Sequence, residues 1–109
     1  MHLNEYQMIA RKTAIYPEIN DNLTYPLLGL CGESGELANK VKKIYRDDFG
    51  ILTGNMRNDL IEELGDVLWY AANIASELEI DLNSVAKLNL NKLHDRETRG
   101  VIQGSGDKR

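Results

Sequence analysis

The sequence has one cysteine, Cys31, so no internal disulfide can form. A lone thiol suits a reducing compartment, and a cytoplasmic location is the expectation. Cys31 sits in the apolar run "LLGLC" and is expected to act as a small buried hydrophobe. An uninterrupted apolar segment of about 18 residues is also missing, so no membrane span or membrane partner is expected. The opening stretch "MHLNEYQMIARK" lacks the apolar centre of a signal peptide, and the sequon Asn22–Thr24 therefore reads as chance. Strong charge of one sign is lacking too. Thirteen basic residues against seventeen acidic give a net charge of −4, with no positive excess for general nucleic-acid binding. An anionic ligand would need a metal ion or a local basic patch.

Several chemical signatures are absent as well. Without an E-x-x-H, a di-iron carboxylate bundle is disfavoured. C-x-x-C, H-E-x-x-H and the P-loop glycine pattern do not occur. His2 and His94 have no metal-ligand spacing and read as surface residues. No strand-like alternation or dominant internal repeat is visible.

The chain does carry helical periodicity. Its 109 residues, 42% hydrophobic and 28% charged, fit one domain over 1–109 with a modest core. "LNEYQMIARKTAI" places Leu3, Tyr6, Ile9, Ala10 and Thr13 at helical spacing. After the breaker-rich "YPEINDNLT", Thr24 can cap a second helix from about Tyr25 to Tyr45, and Pro26 suits its first turn. Its apolar stripe is Leu27, Leu30, Leu37, Val41 and Ile44. The glycines of "RDDFGILTGN" mark a loop. A third helix spans about Arg57 to Leu78, with Leu60, Leu64, Val67, Ala71, Ile74 and Leu78 on one face. Asp81 caps a fourth, "LNSVAKLNLNKLHDRETR", which stops at Gly100. Residues 100–109 form an irregular tail. The expected architecture is an all-α four-helix bundle whose short helices favour oligomeric pairing.

Two acidic pairs break the pattern of that bundle. At about 100° per residue, Glu33, Glu36 and Lys40 share one flank of the second helix's stripe. Glu63, Asp66, Tyr70, Asn73 and Glu77 share a flank of the third, while Glu62 points to solvent. Side chains three residues apart on a helix lie about 5–6 Å apart. Ionised carboxylates that close, at half-buried positions, need a compensating cation. Magnesium takes oxygen ligands and retains waters that phosphate oxygens can replace. Lys92 and Arg96, four residues apart on the fourth helix, can reach a single phosphate group.

"GESGELAN" followed by "IEELGDVLWYAAN" resembles the MazG-like nucleotide pyrophosphohydrolases of the all-α nucleoside triphosphate pyrophosphatase superfamily. The resemblance runs from about Leu27 to Arg109. It implies hydrolysis of a (deoxy)nucleoside triphosphate to the monophosphate and diphosphate, in nucleotide-pool control. It implies that Glu33, Glu36, Glu63 and Asp66 are the catalytic set that ligates Mg²⁺ (Mn²⁺ as an alternative) or holds its water shell. The longer family form carries a further acid where this chain has Gly32. Tyr70 and Asn73 fall where relatives approach the nucleotide, and Lys92 and Arg96 where they touch phosphates. Relatives of this kind pair into homodimers or homotetramers. Two rivals stay open: a phosphoribosyl-ATP pyrophosphohydrolase-like enzyme and a non-catalytic helical interaction module. The acids at half-buried positions weigh against the second.

Overall fold

The computed structural model describes all residues, Met1–Arg109. It contains four helices and no strand: α1 Leu3–Lys12, α2 Thr24–Asp47, α3 Gly54–Glu77 and α4 Leu82–Arg99. No helix is long and apolar enough to cross a membrane. The periodicity of the sequence therefore translates into the expected elements, with ends that differ by up to three residues.

The differences at the ends have local causes. Thr24 does not cap α2. Leu23 stands at the cap position with no side-chain hydrogen bond, and Asn22 takes over: its Oδ1 accepts the Tyr25 N–H at 3.0 Å. Helix α3 starts at Gly54 rather than near Arg57, because Thr53 Oγ1 accepts the Met56 N–H. Asp81 caps α4 as expected, accepting from Ser84 N–H at 2.7 Å. Gly100 ends it in the left-handed region (φ 73°), where a side chain would be strained.

Helices α2 and α3 form a long hairpin. α1 packs on α3, and α4 touches α1 and α3 without packing on α2. The buried centre is small: Ala72, Ala75 and Leu82, with Tyr6 and Ile80 against them. Much of the apolar stripe read from the sequence is left uncovered. Leu64 on α3 and Leu78 just past its end remain more than half exposed, as does Leu88 on α4. Cys31 is exposed rather than buried, a correction to the sequence reading. It lies one turn from Leu27 and Leu28 on a face of α2 that no other helix of the chain covers, and both leucines are exposed too.

The exposed area measures this openness. A 12.3 kDa monomer is expected to expose about 6,100 Å². The chain exposes 7986 Å². Its radius of gyration is 16.8 Å, against about 13 Å for a compact chain of this length.

Candidate metal centre

The α2–α3 hairpin sets the carboxylates against each other. Glu33 lies near the middle of α2, while Glu63 and Asp66 lie one turn apart on α3. One carboxylate oxygen from each of Glu33, Glu63 and Asp66 lies within 4.8 Å of the others. Glu33 and Glu63 are half-buried and Asp66 is exposed. Glu36, one turn beyond Glu33, is exposed and stands outside this group. Three of the four acids expected at the site are thus gathered, and the fourth borders them.

The electrostatics are uneven. Lys40 reaches across from α2, its Nζ 2.8 Å from Glu63 Oε1. That ammonium holds the Glu63 carboxyl below its usual range. Burial pushes Glu33 up, helped by the neighbouring Glu63 carboxylate and by the charges of Asp66 and Glu36. Glu63 Oε2 is buried and has no hydrogen-bond partner. A carboxylate oxygen closed off from water without a donor is destabilising. The oxygen-only donor set, the crowding of like charges and this unpartnered oxygen all fit a hard divalent cation.

Tyr70, one turn after Asp66, flanks the acids. Burial raises its hydroxyl pKa, and the charges of Tyr25, Glu33 and Asp66 add to the shift. Gly29 makes room for its ring: a Cβ there would lie 2.1 Å from Tyr70 Cε1. The Trp69 ring stands edge-on to Tyr70, with centroids 5.0 Å apart, while its Nε1 donates to Thr13 Oγ1.

The remaining residues of that flank turn elsewhere. Asn73 is buried, accepts from Arg11 Nη1 at 3.0 Å and donates to the Trp69 carbonyl. Glu77 closes a clasp that sequence reasoning missed. Its carboxylate accepts from Arg11, from Tyr16 Oη, and from the backbone N–H groups of Asn20 and Asn22. Burial alone would raise this carboxyl. The Asn22 N–H, Tyr16, Arg11 and the Asn20 N–H outweigh burial and hold it down to about 2. The only sequence hint was Glu77's place at the buried end of the acidic flank.

Lys92 and Arg96 are not brought to the carboxylates. They meet the tail: Lys92 Nζ is 2.9 Å from Asp107 Oδ1, and Arg96 Nη2 is 3.2 Å from the same oxygen. Arg96, 6% exposed, also donates to the Asp107 carbonyl. The tail closes on itself as Arg109 donates to the carbonyls of Val101, Ile102 and Gly106.

The family model described as the MazG nucleotide pyrophosphohydrolase domain matches residues 18–101. The chain belongs to the MazG family. The match takes in all four acids, Tyr70, Asn73, Lys92 and Arg96, and leaves out α1 and most of the tail. The chain is also 54% identical over 114 aligned positions to the gene 37 protein of Mycobacterium phage L5, with 100% of both chains covered. No solved structure matches it.

Proposed function

We propose that this MazG-family chain is a Mg²⁺-dependent nucleoside triphosphate pyrophosphohydrolase, cleaving the α–β phosphoanhydride of a (deoxy)nucleoside triphosphate to release diphosphate. The observation that carries this reading is the cluster of Glu33, Glu63 and Asp66 with its unpartnered Glu63 oxygen. Those three would hold the ion, with Glu36 at the rim as the fourth acid. When bound, Mg²⁺ supplies charge neutralisation and lowers the pKa of a coordinated water.

The chain's own groups do the rest. Glu36, exposed beside the cluster, orients the attacking water and accepts its proton, with Glu33 as the alternative base. Tyr70 offers a ring face and a hydroxyl to the nucleotide at the edge of the acids. Asn73, one turn beyond it, is buried and holds Arg11 and the Trp69 carbonyl. Lys92 and Arg96, held by Asp107 away from the carboxylates, would take phosphate oxygens only once released from it and brought to the site by the assembled homo-oligomer. The substrate is a triphosphate of the nucleotide pool.

The working unit is at least a homodimer. The surface beyond that of a compact monomer amounts to about 1,900 Å² per chain, on the scale that obligate interfaces cover. Exposed apolar residues of α3 and α4 supply it.

The test is diphosphate release from a panel of triphosphates, with Mg²⁺ and with EDTA. Activity is expected to vanish in chelator and return with Mg²⁺ or Mn²⁺. Glu63→Gln and Glu36→Gln should each lose most turnover while the far-UV helix signal persists. Robust hydrolysis in chelator would overturn the assignment.

A further inference from the structure

Lys40 is the one cation paired with the carboxylate cluster. It starts on α2, one turn beyond Glu36, and bridges to α3 at Glu63. The two side chains retain 38% and 16% of their exposure, so the pair is partly screened by protein. The charges of Asp59 and Glu36 also act on its ammonium. One positive charge faces several negative ones, and it engages only Oε1 of Glu63, leaving Oε2 without a partner. Lys40 therefore lessens the repulsion in the cluster without satisfying it.

We propose that Lys40 is the built-in counter-cation of the carboxylate site, and that a divalent cation must compete with it for Glu63. The proposal rests on the reading of the cluster as a metal site. A lysine suits the role, because its ammonium is a compact charge on a flexible four-carbon stem. Lys40 has somewhere to go when displaced. It also lines a cavity of about 210 Å³ whose wall holds Asp48 and Asp59, with one other cation, Lys43. Moving toward those acids keeps the ammonium paired while Glu63 turns both oxygens to the ion. Free metal then binds more weakly than the acids alone would allow. A metal carried by a triphosphate brings its own oxyanion ligands and overcomes the competition more easily.

The experiment measures Mn²⁺ affinity of the full chain by electron paramagnetic resonance, and the Mn²⁺-induced rise in Tm, for wild type, Lys40→Met and Lys40→Arg. Removing one nearby positive charge should tighten Mn²⁺ binding about 3- to 10-fold in Lys40→Met, the range set by solvent screening of a charge at the protein's edge. The metal-induced Tm rise should grow in step. Lys40→Arg keeps the charge and should stay within about twofold of wild type by the same argument. If Lys40→Met loses its far-UV helix signal, Lys40→Gln serves with the same expectation. Unchanged or weaker Mn²⁺ binding by the uncharged variant, beside a wild type that binds, overturns the counter-cation role and leaves the metal site standing. No Mn²⁺ binding by any of the proteins overturns both.

Discussion

Replacing Glu77 with glutamine tests the clasp that joins the chain's beginning to the end of α3. The carboxylate accepts four hydrogen bonds, two from backbone N–H groups of the loop after α1 and two from Arg11 and Tyr16. Glutamine keeps the shape and one acceptor oxygen. It removes the charge, places an NH₂ against donors, and leaves the Arg11 guanidinium, 19% exposed, without its counter-ion. Breaking a buried pair by removing one partner costs about 3–5 kcal/mol. This pair lies near the protein's edge, where water screens it, so a loss of roughly 2–3 kcal/mol is the expectation. For a domain of this size that corresponds to a fall in Tm of about 10 °C or more.

The pH dependence of that loss has a definite sign. The Glu77 carboxyl is depressed from 4.5 to about 2 in the folded protein. Its contribution is therefore complete above 4.5, the unfolded value, and disappears as pH falls toward 2. Urea titrations of wild type and Glu77→Gln, followed by far-UV circular dichroism at equal protein concentration, should show the full gap at pH 7. The gap should narrow steadily once pH drops below 4.5. Equal stability at pH 7, or a gap of the same size on both sides of that window, would refute the account of the clasp.

Three other outcomes follow from described contacts. Gly29→Ala drives a Cβ to within 2.1 Å of the Tyr70 ring, so it should cost roughly 1–3 kcal/mol of stability and lower turnover; a thermal melt equal to wild type would mean that the ring yields freely. Arg96→Ala should reduce kcat/KM by about 2–4 kcal/mol for every base, since phosphate contacts do not read the base, and wild-type kinetics would remove Arg96 from the site. Light scattering should find at least a dimer at micromolar concentration, and a stable monomer would contradict the covering of the exposed α3 and α4 leucines.

The helices were readable because their apolar residues recur at helical spacing and because Asp81 and Gly100 are local signals whose effect does not depend on distant contacts. The convergence of Glu33 with Glu63 and Asp66 was readable for a related reason: once α2 and α3 form a hairpin, acids on facing flanks must meet. Glu77 belonged to the same flank, yet its partners Arg11 and Tyr16 lie more than sixty residues away. Nothing in the helical period announces them. Lys92 and Arg96 show a similar limit. Their spacing was clear, but Asp107 comes from a tail without periodicity. Cys31 was misjudged because an apolar run announces burial without saying which positions on the helix its neighbours cover.

The hairpin connection has an engineering consequence. Phe49, at φ 56° and 93% exposed, stands at its tip. A break there divides the chain into residues 1–49, carrying α1, α2 and Glu33, and 50–109, carrying α3, α4, Glu63 and Asp66. Because α3 packs on both α1 and α2, the two pieces share the whole hairpin interface and the α1 interface as well. The carboxylate cluster exists only when they reassemble. Fused to two proteins that meet, halves cut there would regain the carboxylate cluster only by restoring the α2–α3 contact.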